Sequence, residues 1–165
     1  MNAPISRILV PVDFSPHSDF ALSYAISLAG RLAASLHLLH VVEPISAAAL
    51  GEGFYLPEVS ELQARMVSDA EHRIAECRAL AAAGNVPVGT DVLSGPAATI
   101  IASAASNKEC DLIVMGTHGR TGLAHLFMGS VAERVTRLAP CSVLTVRETA
   151  WKKDSASSGK GVAAA

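Results

Sequence analysis

The sequence carries little net charge, few cysteines and no long apolar run, and each shortage removes a class of function. Lys and Arg number 13 against 15 Asp and Glu, a net charge of -2 over 165 residues. Binding along a nucleic-acid backbone draws on clustered cations, so nucleic acid is not expected as the main partner. No uninterrupted apolar stretch reaches the length of a membrane span, so no membrane partner is expected either. The opening MNAPISRILVPVDF lacks a basic segment followed by a long apolar run and a cleavage site, and no secretory signal is read there. The three cysteines, Cys77, Cys110 and Cys141, are an odd number without CxxC spacing. That argues against a disulfide framework or a zinc site. They are expected as small buried or half-buried residues in a cytoplasmic protein. Two phosphate-binding signatures are missing as well: no Walker A loop ends in Gly-Lys-Ser/Thr, and no GxGxxG run occurs.

What is present reads as a globular domain. Half the residues are hydrophobic and 17% are charged, and the length suits one core. RILVPVDF (7–14) is a short continuous apolar run, the pattern of a strand buried on both faces. Ser15 and Pro16 then give a strong helix start, with Ala21, Ala25, Leu28, Ala29 and Leu32 at helical spacing over about 16–34. SLHLLHVVEP (35–44) is a second strand stopped by Pro44, and 45–57 reads as a loop. Val59, Leu62, Met66, Ala70, Ile74, Cys77 and Leu80 mark one face of a long helix over about 58–83, with Gly84 just past its end. Residues 85–93 look like a sheet-edge strand, and Pro96 opens a third helix. DLIVMG (111–116) is a fourth strand, SVAERVTRL (130–138) a fourth helix and CSVLTVR (141–147) a fifth strand. Strand and helix alternate four times before a closing strand, which calls for an open parallel sheet with helices on both faces. The tail 149–165 is small, polar and aperiodic, and is expected to be disordered beyond a domain ending near 148.

The chemistry is expected at the carboxyl end of the fourth strand. GTHGRTGLAHLFMGS (116–130) holds four glycines, and glycine there loses backbone entropy that something must offset. Two readings stay open. In the first, the stretch is a cradle for an anion. Gly116, Gly119 and Gly129 let a polyanion approach the backbone, the fourth helix offers its N-terminal amides, and Arg120 and His118 add donors. In the second, the stretch is a turn without a ligand, and Ser130 with Glu133 is a capping box that closes the helix on itself. Asp13, at the end of the first strand, likewise reads either as a ligand contact or as a cap of the first helix.

The spacing Gly116-x2-Gly119-x9-Gly129-Ser130 resembles the ATP-binding signature of the universal stress protein family. ILVPVDFSPHS, LHLLHVVEP, DLIVMGTHGRTGL and GSVAERVTRLAPCSVLTV resemble that family's segments in the same order, so the likeness spans about residues 5–147. The resemblance implies a five-stranded parallel sheet ordered 3-2-1-4-5, of the Rossmann-like, adenine-nucleotide hydrolase-like kind. It implies ATP as the ligand, with Mg²⁺. Pro11, Val12 and Asp13 are then expected at the adenosine end, and the backbone of Val41 at the adenine edge. Met115 and Gly116 are expected along the ribose, and Gly119, Arg120, Gly129, Ser130 and Val131 around the phosphates. Asp13 is also the candidate contact to an ATP-bound Mg²⁺. A homodimer through the edge strand 141–147 is implied too, and an exposed apolar edge invites such pairing on physical grounds.

Phosphoryl transfer needs a positioned nucleophile, metal ligands and charge stabilisation. Arg120 and Asp13 supply part of that set, and no second acid or water-positioning base is legible. The expected function is therefore an ATP-binding regulatory or stress-response module with at most slow hydrolysis. The alternatives are an enzyme of the related hydrolase-like superfamily, such as an AMP-forming ligase, and an interaction protein whose loop is only structural. If Arg120 reads phosphate, Arg120→Ala should weaken ATP binding by roughly tenfold or more, the worth of a charge-assisted hydrogen bond. Adenosine affinity, titrated alongside by calorimetry, should change far less, and equal losses would show that Arg120 does not read the phosphates.

Overall fold

A computed structural model describes residues 4–45, 56–117 and 129–147. The elements run β1 (Arg7–Pro11), α1 (Pro16–Leu32), β2 (Ser35–Val42), α2 (Leu56–Ala83), β3 (Val88–Ser94), α3 (Ala97–Asn107), β4 (Leu112–Gly116), α4 (Ser130–Leu138) and β5 (Ser142–Val146). The five strands are parallel, in the order β3-β2-β1-β4-β5. The expected α/β fold and strand order are thus observed. Residues 118–128, which carry His118, Gly119 and Arg120, and the tail 149–165 lie outside the described residues.

The apolar run of β1 earns its central place because both of its faces are covered. Ile8 and Val10 turn to one cluster, where α1 supplies Ala21, Leu22, Ala25 and Ala29 and α2 supplies Ile74, Cys77 and Ala81. Leu9 turns to the other, where α3 supplies Ala98, Ile101, Ala104 and Ala105 and α4 supplies Ala132 and Val135. Small alanines on the helices let them lie close on the sheet. The edges fall to β3 and β5, whose residues are mostly half-buried or exposed.

Two boundaries shift for backbone reasons, and a third keeps its place. The first strand was expected to end at Asp13 but ends at Pro11, and Phe14, the residue after Asp13, takes a φ of 61° that no strand continues through. The first helix was expected to reach 34 but stops at Leu32, because Ala33 turns left-handed at φ 52°. Gly84 does follow α2, yet the left-handed residue there is Asn85, at φ 57°. Glycine at 84 is needed for room: a Cβ would lie 2.9 Å from Ile26 Cγ2 of α1.

All three cysteines are free, Cys77 and Cys110 buried and Cys141 half-buried. Burial pushes the Cys110 thiol up to about 11, and burial raises Cys77 and Cys141 too, which makes them poor nucleophiles at neutral pH. Among the described residues, no helix is long and apolar enough to cross a membrane.

The pairing of β1 with β4 is short. It covers Ile8 with Leu112 and Leu9 with Ile113, whereas β1 follows β2 as far as Pro11 with Leu39 and β4 follows β5 as far as Gly116 with Val146. The two central strands therefore part toward their carboxyl ends. Asp111 fastens the closed end: its Oδ2 accepts from the Ser6 amide at 2.8 Å, the Ser6 hydroxyl at 2.9 Å and the Arg7 amide at 2.9 Å. The Ser6 and Arg7 amides, aided by the Ser6 hydroxyl, hold the carboxyl below its ordinary value. A carboxylate with a lowered folded pKa stabilises the fold above its unfolded pKa and loses that contribution as pH falls through the folded one. Asp111→Asn should therefore cost about 1 kcal/mol at neutral pH, the low end for a charged acceptor because the site is near the surface. The gap between variant and parent should narrow as pH falls through the lowered folded pKa, as read by denaturant unfolding at each pH.

Candidate functional site

The parting of β1 and β4 opens a cleft of about 720 Å³ at the carboxyl edge of the sheet. In open α/β sheets such a crevice, where connections leave in opposite directions, is where ligands bind. Nine of the residues expected at the site line it: Pro11, Val12, Asp13, Val41, Met115, Gly116, Gly129, Ser130 and Val131. They come from four segments, the ends of β1, β2 and β4 and the start of α4. His118, Gly119 and Arg120 are the expected site residues outside the described ones.

The start of α4 bears on the capping-box reading of the glycine stretch. The N-cap is Gly129, at φ -70° and ψ 152°, and no side chain caps the helix from that position. Ser130 is the first helical residue and not the cap, and the Glu133 carboxylate pairs with Arg137 Nη2 at 2.6 Å. The capping box does not form. The backbone at Gly129 is one that any residue adopts, and among the described glycines a positive φ occurs at Gly95 alone. Gly116 and Gly129 are thus not demanded by left-handed dihedrals.

The donors differ from the expected set in one respect. The Gly129 amide donates to the Thr117 carbonyl at 2.7 Å, and the Thr117 amide to Val146 at 3.2 Å. Gly129 therefore contributes space rather than its N–H. The first helical bond is from the Glu133 amide to the Gly129 carbonyl at 3.0 Å. The amides of Ser130, Val131 and Ala132 precede it, at the positive end of the helix dipole and on the cleft wall. Charge alone does not favour an anion here, since the described lining holds Asp13, Glu43 and Asp69 against Arg73. Among the described residues, the amide end is the part of the lining that favours an anion.

Asp13 is not the cap of α1. Ser15 is, at φ -87° and ψ 159°, its hydroxyl accepting from the Ser18 amide at 3.3 Å. Asp13 acts on that cap: its Oδ1 accepts from the Ser15 amide at 3.0 Å and the Ser15 hydroxyl at 2.6 Å. Between them Phe14 sits in the left-handed region, which for an aromatic residue costs about 1–2 kcal/mol. Its ring stacks on His40, with centroids 4.3 Å apart and planes at 26°. The Arg73 guanidinium lies 4.2 Å from the same ring. Buried His40 also places Nδ1 2.7 Å from the Val12 carbonyl, which makes that nitrogen the donor. Phe14, His40 and Arg73 all line the cleft, and sequence reasoning missed them. A histidine inside the apolar run LHLLHVV was the one available signal; nothing local marks Phe14 or Arg73.

The universal stress protein family model matches residues 4–147. A universal stress protein of Methanocaldococcus jannaschii is 34% identical over 142 residues, which cover 86% of this chain and 82% of the relative. The solved UspA of Lactobacillus plantarum is 30% identical, with a TM-score of 0.75 over 88% of this chain and all (100%) of that one. A universal stress protein solved in complex with cAMP is 20% identical and shares the fold, at a TM-score of 0.64 over 88% and 99% of the two chains.

Because the Gly129 backbone suits any residue, Gly129→Glu should leave a folded domain with an unchanged circular-dichroism spectrum. The added carboxylate would occupy the amide end of the cleft. Affinity for ATP should fall at least about a hundredfold, a loss of two charge-assisted contacts plus repulsion, in a calorimetric titration.

Proposed function

The chain belongs to the universal stress protein family, and from that premise we propose that its cleft binds ATP and that the protein is a nucleotide-dependent regulatory module, at most a slow ATPase. The observation that carries this reading is the opening of α4. Its first amides meet the cleft beside Gly116 and Gly129, whose bare backbones answer no dihedral need. That is the arrangement by which a helix N-terminus takes up phosphate without formal charge. The apolar walls given by Pro11, Val41, Met115 and Ile101 suit a purine, with strand-end peptide groups at hand for its edge. An adenine nucleotide in one relative of the same fold supports the choice of base.

Asp13 supports a ribose or magnesium contact. Ser15 fixes the carboxylate through Oδ1, and Mg²⁺ is commonly held by one carboxylate together with substrate phosphates. His118, Gly119 and Arg120 complete the phosphate end in this reading. The apolar edge strand β5 supports a homodimer through 141–147, and free cysteines support a cytoplasmic setting.

Mass spectrometry of the gently denatured purified protein, followed by titration with ATP and Mg²⁺, tests the reading. Released ATP, or micromolar affinity for it, is the expected result. AMP or ADP with rapid turnover would favour an enzyme of the related hydrolase-like superfamily. No nucleotide and no titratable affinity would leave an interaction protein and overturn the proposal.

A further inference from the structure

We propose that the stack Arg73–Phe14–His40 is a positioning device for the nucleotide site, which holds Asp13 in the orientation a ribose or metal-bound phosphate meets. The inference rests on the reading of the cleft as a nucleotide site and adds residues to it.

Asp13 has two neighbours in the chain, and one side chain holds both. His40 donates from Nδ1 to the Val12 carbonyl at 2.7 Å and stacks its ring on Phe14 at 4.3 Å. The Asp13 carboxylate itself is pinned by the Ser15 amide and hydroxyl. Little freedom is left to the one acidic residue at the end of β1. Arg73 closes the stack from α2. Its guanidinium lies 4.2 Å from the Phe14 ring, and its Nη2 donates to the Phe14 carbonyl at 3.4 Å. A planar cation on an aromatic face is attracted by the ring quadrupole.

The backbone makes a purely packing role a poor account. A phenylalanine that only filled the core would need no left-handed backbone, yet Phe14 keeps φ 61° one residue from the cleft carboxylate. Strained residues of this kind persist where their surroundings over-determine them, and they gather at ligand sites. Here the over-determination comes from three elements at once: β2 through His40, α2 through Arg73 and the α1 cap through Ser15.

Phe14→Gly separates the roles, because glycine takes the left-handed backbone without cost and removes only the ring. In the full-length protein, titrated with ATP and Mg²⁺ by calorimetry, Phe14→Gly should weaken binding about tenfold, and Arg73→Met by about threefold. Phe14→Tyr, which keeps the ring, should recover most of the loss. The deciding readout is coupling: in an Asp13→Ala background, Phe14→Gly and Arg73→Met should each cost less than about twofold, since the group they position is gone. Parent-like affinity of both single variants, or losses that add in full to that of Asp13→Ala, would overturn the inference while the nucleotide reading stood. If Phe14→Gly does not fold, Arg73→Met carries the same cycle alone. A parent protein that binds no ATP would overturn the nucleotide reading, and this inference with it.

Discussion

The short pairing between β1 and β4 is the constraint on which the rest of the molecule turns. Connections leave β1 and β4 in opposite directions, β2 and β3 building outward on one side and β5 on the other. Each of the two central strands stays with its outer neighbour longer than with the other. Their carboxyl ends are thereby pulled apart, while Asp111 ties their amino ends to Ser6 and Arg7. The cleft is a consequence of this geometry. Its walls are the ends of rigid elements whose remaining length is buried in two apolar layers.

Two devices then shape the cleft at opposite ends. At the α4 end, side chains are withheld. Buried Gly116 and half-buried Gly129 put no side chain into the cleft, and the Gly129 amide is spent on the Thr117 carbonyl. The helix amides that follow have no serine cap to satisfy them. At the β1 end, side chains are packed hard. Phe14 is held in a costly backbone state by His40 and Arg73, and Asp13 is locked onto Ser15. One end offers dipoles and room, the other a fixed carboxylate. A ligand with an anionic tail and a hydroxylated middle suits that division, since the carboxylates in the lining would repel an anion placed elsewhere in the cleft.

The polar residues of the cleft are costly to the fold, and the structure offsets them locally. Buried His40 is hydrogen-bonded to Val12, and the strain at Phe14 is spread over a ring stack and a cation contact. The cysteines show the contrary case. Burial raises all three thiols, no disulfide joins them, and they act as small core residues.

Periodicity in the chain determined the element types, their order and the parallel sheet. Ile8, Leu9 and Val10 in an unbroken run mean a strand covered twice, and the Ser15–Pro16 start needs no tertiary partner to be recognised. The glycine spacing marked the right end of β4, because missing side chains are visible in a sequence. What each glycine is for was not visible there. Only the fold showed that Gly129 has ordinary dihedrals and a spent amide, and that Ser130 stands inside the helix instead of capping it. The stack of Arg73, Phe14 and His40 joins residues up to 59 positions apart in sequence, and no local pattern encodes a contact made by three separate elements. Local sequence sets backbone preference over a few residues. The meeting of distant side chains depends on how the layers pack, and that is decided by the whole chain at once.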